Sequence, residues 1–292
     1  MREIKLPNSK IIEIGEGKPI IGIVGLIHGD ERCGRKILDE LCSTQLKLNS
    51  KLRIIYANLE AERKGVRGNG NHPIKNNLNR TFYKNGAILD GTIEETTASQ
   101  LIPYLRDCNY VLDIHSTSYP TEPFVISVVD TIDFDTLASF TGLEKYVIMT
   151  KDLASGGSLI DEVYRNGGRG LSFESGTHED ETSINVARFV VHNFLNNLKL
   201  LNGNKKESFP KKFYGRGVIR VPSREFMAYN TIKNFTLLPG GTSYGEDNNR
   251  QYCLNYDCYP FLFSDKLIDD MVFLDGSKET GECKDLKIVT TA

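Results

Sequence analysis

The chain has 292 residues, 39% of them hydrophobic and 25% charged, the balance of an ordinary globular protein and too apolar for wholesale disorder. With 36 Lys and Arg against 38 Asp and Glu, the net charge is −2, which excludes a globally basic nucleic-acid coat and a strongly acidic tail. The longest apolar run, at 20–27, has eight residues including two glycines, far short of the roughly 18 that a membrane span needs. The opening Met1-Arg2-Glu3-Ile4-Lys5 lacks the apolar core of a secretory signal, so a cytoplasmic location is expected.

In chain order, residues 19–27 (PIIGIVGLI) form a nearly continuous apolar run, the pattern of a strand buried on both faces. Residues 32–45 place Ile37, Leu38 and Leu41 on one helical face. Strand patterns rich in Val, Ile, Tyr and Phe recur at 52–58, 110–115, 123–130, 146–149 and 171–174. Residues 92–106 open on Thr92 with Glu95 three positions on, a capping-box signature. A stripe through Ile184, Ala187, Val191, Phe194, Leu195 and Leu198 marks a helix over 183–200. Such alternation predicts a three-layer α/β domain over 1–203, built on a mostly parallel or mixed sheet. Segment 202–208 is polar and precedes Pro210, as a linker would. The strand-like stretches beyond it, at 217–221, 225–229 and 259–263, are short and broken by Gly, Asn, Pro and Asp. They predict a small β domain over 209–292, flanking the first. The six cysteines (33, 42, 108, 253, 258 and 283) form no C-x-x-C pair and read as reduced structural thiols.

Chemistry concentrates at strand ends. His28-Gly29-Asp30-Glu31 closes the strongest strand pattern, and in open α/β sheets ligands bind at the carboxyl ends of strands. His28 and Glu31 lie three apart where a strand turns into a helix, so one turn aims both at a common point. Zinc needs a third protein ligand, and His115, ending the strand pattern at 110–115, supplies it. Asp113, two residues back on the same strand face, is placed to orient an imidazole.

These residues belong to five ordered motifs through which the chain resembles the succinylglutamate desuccinylase/aspartoacylase family of the zinc carboxypeptidase superfamily. The family's H-G-[ND]-E matches His28-Gly29-Asp30-Glu31, and its N-P-x-A with a following arginine resembles Asn58-Leu59-Glu60-Ala61 with Arg67, leucine standing for proline. D-L-N-R-x-F matches Asn77-Leu78-Asn79-Arg80-Thr81-Phe82, with asparagine for the aspartate. D-x-H-x-[ST] matches Asp113-Ile114-His115-Ser116-Thr117, and an apolar residue before E-x-G matches Phe173-Glu174-Ser175-Gly176. The motifs cover 25–176, and the C-terminal third is alike in character only. The resemblance implies a zinc-carboxypeptidase-like fold and one zinc held by His28, Glu31 and His115, which acidifies its water ligand and polarises the scissile carbonyl. It implies Glu174 as general base, Arg67 as oxyanion stabiliser, and Asn79 with Arg80 as the clamp on a substrate carboxylate.

Local charge agrees: from Glu62 to Lys84 there are six basic residues against one acid. The Gly-Asn loop at 68–72 lacks the interleaved aromatics of a nucleic-acid site. Acids at His178-Glu179-Asp180-Glu181 favour a helix N-terminus more than a second metal site. His72 and His178 are left without a role, Gly156-Gly157-Ser158 reads as a turn, and either Arg165 or Arg169 could supply a further substrate contact. The expectation is a zinc-dependent amidohydrolase for a small carboxylate-bearing N-acyl amino acid, with no nucleic-acid or membrane partner and homo-oligomerisation left open. Its rivals are a carboxypeptidase acting on short peptides and a catalytically silent metal-binding module.

Overall fold

The computed structural model describes residues 1–72, 75–83, 86–149, 157–178, 180–203, 206–220, 222–223, 225–248, 250–263, 271–277 and 288–291. Lys84, Gly156, Glu179 and Cys283, named above, lie outside them, as do positions 204 and 205 of the segment 202–208 and position 221 of the stretch 217–221. A hairpin of β1 (Arg2–Leu6) and β2 (Ser9–Ile14) leads into β3 (Ile20–Gly25), α1 (Arg32–Ser43), β4 (Lys51–Tyr56) and α2 (Leu59–Lys64). A 3-10 turn at Leu78–Arg80 precedes α3 (Ile93–Arg106), β5 (Tyr110–Thr117), β6 (Phe124–Ser127), α4 (Ile132–Ser139) and β7 (Lys145–Met149). Then come α5 (Leu159–Arg165), β8 (Arg169–Thr177), α6 (Glu181–Asn197) and β9 (Lys211–Arg220). The last strands are β10 (Met227–Ala228), β11 (Ser243–Asp247), β12 (Arg250–Leu254), β13 (Met271–Ser277) and β14 (Ile288–Thr291).

Among the described residues, ten strands form one sheet in the order β1-β2-β4-β3-β5-β8-β6-β7-β9-β13. The sheet is mixed: β3 runs parallel to β4 and β5, and β5 parallel to β8, while β6 lies antiparallel to β8. Strand alternation divides the core. Ile21 and Ile23 of β3 pack with Leu112 and Ile114 of β5 against Leu38 and Leu41 of α1 and Phe194 of α6. Ile20 and Val24 face the other way, with Val111, toward Leu101 of α3 and Ile160 and Val163 of α5. A strand buried on both faces has no polar side to show, which is why β3 reads as one apolar run. Thr92 and Glu95 form the expected capping box, at 3.2 Å in each direction.

The small antiparallel sheet near the C-terminus has the order β10-β11-β12-β14. The linker does not interrupt the large sheet: β9 pairs in parallel with β7, and β13 pairs with β9. Ile219 of β9 and Phe273 of β13 share a cluster with Phe226, Tyr244 and Tyr252, so the two sheets are packed through common side chains. Segment 259–263 is not a strand. Pro260 has no N–H to give a ladder, and its carbonyl accepts Phe235 N–H at 2.7 Å.

Candidate metal and catalytic site

Three chain segments meet at the carboxyl ends of β3, β5 and β8. Just past β3, buried Leu26 takes φ 62°, a left-handed conformation that costs a branched residue about 1–3 kcal/mol and marks a turn held by its surroundings. Gly29 follows against α2: a Cβ there would lie 2.1 Å from the Ala61 carbonyl carbon. The glycine of the first motif is thus required by close backbone approach, which lets the chain pass α2 between His28 and Glu31.

His28, Glu31 and His115 are all buried, and one ligand atom from each lies within 4.8 Å of the others. His28 Nδ1 is 2.7 Å from Glu31 Oε1, and His115 Nδ1 is 2.8 Å from Glu31 Oε2. Each ring is held from behind. His115 Nε2 meets Asp113 Oδ2 at 2.7 Å, as the two-residue spacing predicts, and His28 Nε2 meets Asn77 Oδ1 at 3.0 Å. The Asn77 contact fixes a tautomer. Its Oδ1 also accepts the Asn79 backbone N–H at 3.0 Å, so it is the amide oxygen, and Nε2 of His28 must be the protonated nitrogen.

Charge follows from this packing. Burial lowers the His28 pKa and Arg67 adds to that, against the opposing pull of Glu31. With Nε2 bonded to Asn77, His28 turns Nδ1 to Glu31 Oε1 at 2.7 Å. The two-imidazole, one-carboxylate set suits a divalent metal. Burial disfavours an imidazolium at His115 too, yet Asp113 and Glu31 hold its pKa well above the usual value. Burial works against the Glu31 carboxylate, but His28 and His115 keep its pKa well below the ordinary range.

Glu174 stands directly opposite His115 in the parallel register of β5 and β8. It is buried, its Oε2 has no hydrogen-bond partner among the described residues, and burial with the Glu31 and Asp113 charges raises its pKa to about 7. Arg67 places Nη1 3.3 Å from Glu31 Oε1, with Nε buried and likewise without a partner among the described residues. Its loop is clamped. Fully buried Glu94 of α3 accepts Asn69 N–H at 2.7 Å, and a Cβ on Gly68 would lie 1.7 Å from the Asn76 carbonyl oxygen.

Asn79 and Arg80 sit on the 3-10 turn that Asn77 joins to His28. The side-chain oxygen of Asn79 accepts Leu159 N–H at 2.9 Å, and half-buried Arg80 donates to the Asn79 carbonyl at 2.8 Å. Arg165 and Arg169 are engaged elsewhere. Arg165 bonds Glu162 and the Phe82 carbonyl, and Arg169 bonds Asp133 at 2.7 Å from the opposite end of β8. His178 bonds Ser116 Oγ at 2.9 Å, and Ser116 N–H reaches Glu31 Oε2 at 3.3 Å. Sequence reasoning gave Asn77, Glu94 and Ser116 no role. An asparagine before a turn and an acid in the first turn of a helix look like ordinary capping.

Among curated proteins, none matches the sequence. The fold is similar to that of succinylglutamate desuccinylase/aspartoacylase from Rhodobacter sphaeroides, with TM-score 0.72 and 17% identity over 93% of this chain and 89% of the other. Succinylglutamate desuccinylase from Vibrio parahaemolyticus gives TM-score 0.71 and 18% identity over 99% and 94%. The product-bound ectoine utilization protein EutE from Ruegeria pomeroyi gives 0.71 and 20% over 92% and 88%. The model of the succinylglutamate desuccinylase/aspartoacylase catalytic domain matches residues 18–194, a span that contains the His28, Glu31 and His115 cluster and Glu174. The chain belongs to this deacylase family.

Proposed function

We propose that the protein is a zinc-dependent amidohydrolase that cleaves the amide bond of a small, carboxylate-bearing N-acyl amino acid. The observation that carries this is the convergence of His28 Nδ1, His115 Nδ1 and the Glu31 carboxylate beside a buried carboxylate, Glu174, whose Oε2 has no hydrogen-bond partner among the described residues. His28, Glu31 and His115 would hold the ion, which when bound polarises the substrate carbonyl and acidifies a water molecule.

The remaining work falls to side chains. Glu174, with its pKa near neutrality, can take a proton from the attacking water and return it to the leaving amine. Binding alone requires no such base, which disfavours a silent metal-binding module. Arg67, next to Glu31, can steady negative charge on the carbonyl oxygen as the tetrahedral centre forms. Arg80, and the Asn79 amide beside it, offer the donors that recognise a substrate carboxylate.

Purified protein is expected to bind about one zinc per chain, a capacity largely lost on His28→Ala or His115→Ala. Zinc-loaded protein is expected to release free amino acid from N-acyl amino acids. A protein that takes up no divalent ion, or a loaded one that leaves a broad panel of N-acyl amino acids intact, overturns the reading.

A further inference from the structure

The two histidines of the cluster are held from behind by different chemistry. Behind His115 stands a carboxylate, Asp113, and behind His28 a neutral amide, Asn77, at 2.7 and 3.0 Å. Both partners are buried. A carboxylate accepting an imidazole N–H pushes electron density through the ring and makes the far nitrogen a stronger donor. An amide does this far less, since it carries no charge. Asn77 has a second peculiarity: its Nδ2 is buried and has no hydrogen-bond partner among the described residues. An aspartate would fit the same volume, keep the acceptor shared by His28 and Asn79, and remove that orphaned donor.

We infer that Asn77 tunes the metal centre: it fixes His28 with Nδ1 free to ligate, and by its neutrality makes His28 the weaker of the two imidazole ligands. The inference rests on the proposed metal-binding role of His28, Glu31 and His115. Affinity is given up on the His28 side, and a bound cation that receives less electron density stays more electrophilic. Asn77 is outside the three-residue ligand set and acts through His28, so it is a positioning residue.

The test compares wild type, Asn77→Asp and Asn77→Ala by zinc affinity, in chelator competition, and by melting temperature with and without zinc. Asn77→Asp is expected to bind zinc roughly ten-fold more tightly and Asn77→Ala roughly 10–100-fold more weakly, the usual span for a residue supporting a metal ligand. The rise in melting temperature on adding zinc is expected to be larger in Asn77→Asp than in wild type, because tighter binding to the folded state stabilises it more. A purely structural role for Asn77 would move the metal-free and zinc-loaded forms equally. Equal shifts, or an unchanged zinc affinity in Asn77→Asp, overturn the inference while leaving the metal site intact. A wild type that binds no zinc overturns the metal reading and this inference together.

Discussion

A carboxylate buried beside two other acids ionises reluctantly, and Glu174, with a pKa of about 7 against an ordinary 4.5, binds its proton more tightly in the fold than in the unfolded chain. Its contribution to stability is therefore full below about pH 4.5 and is lost as pH rises through about 7, roughly 3 kcal/mol in all. Glu174→Gln carries no such penalty, so the metal-free variant should gain on metal-free wild type as pH rises from about 5 to 8. Thermal unfolding at the two ends of that range reads the difference, and a gap that does not grow with pH contradicts the burial argument. The same variant should keep its zinc yet lose roughly 10²–10⁴-fold in turnover, the ordinary size of a general-base effect. The two arginines should separate. Arg67→Ala should mainly lower kcat if, as proposed, its contact strengthens as charge develops on the carbonyl oxygen, whereas Arg80→Ala should mainly raise KM for substrates bearing a carboxylate. An equal loss by Arg80→Ala toward a substrate with an amidated carboxylate would remove the clamp role. At this scale much was legible. His28, Glu31 and His115 could be placed together because each ends, or immediately follows, a strand recognisable by its apolar pattern. Asn77 and Glu94 could not, because their partners lie 49 and 25 residues away along the chain and nothing local marks the contact.

Elements carry these residues, and the tightest joint lies between α2 and the turn after β3. A methyl group on Gly29 would lie 2.1 Å from one backbone atom of α2 and 2.2 Å from another. No rotamer relieves a clash with backbone, so Gly29→Ala must displace α2 or the turn, at a cost at or above the usual 1–3 kcal/mol of overpacking. Because His28 and Glu31 flank this glycine, the displacement should also weaken zinc binding. A variant with normal melting temperature and normal zinc affinity would show that the approach is softer than the geometry indicates. The joint between α3 and the Arg67 loop allows a finer test. Glu94→Gln keeps an acceptor for Asn69 N–H while Glu94→Ala removes it, so only the alanine variant should reproduce the kcat loss of Arg67→Ala. Elements with a strong periodic signal were legible: β3, β5, β8, α1, α3 and α6 all lie where the sequence places them. The β1–β2 hairpin was not, because β1 is a mostly exposed edge strand of alternating charged and apolar residues. Nor was the assignment of β9 to the large sheet, since its parallel partner β7 lies across α5, β8 and α6 in the chain, and a strand's own composition does not say which sheet it will join.

At the scale of the whole molecule, the cluster beside the small sheet meets the segment that leaves β5 at Tyr119. Tyr119 follows His115 by four residues, and Thr117 Oγ1 donates to its carbonyl at 2.8 Å. Its ring meets Phe263 edge-on at 4.9 Å and packs against the cluster of Phe226, Tyr244, Tyr252 and Phe273. The segment leaving β5 is thus buttressed on the side of the small sheet, while Glu94 of α3 holds the loop that carries Arg67 beside Glu31. A peptidase working at the edge of an open sheet needs room for a chain to run out on at least one side. Supports on both sides would instead favour a short substrate, and a drier site would strengthen the contacts proposed for Arg67 and Arg80. With N-acyl amino acids, dipeptides, tripeptides and tetrapeptides as a series, kcat/KM should fall steeply past the first member. Phe263→Ala should flatten the fall by loosening Tyr119, without loss of zinc. Efficient C-terminal trimming of tetrapeptides by the wild type would decide for the carboxypeptidase reading. A steep fall that Phe263→Ala leaves unchanged would keep the deacylase reading and place the length selection on the Arg67 side alone.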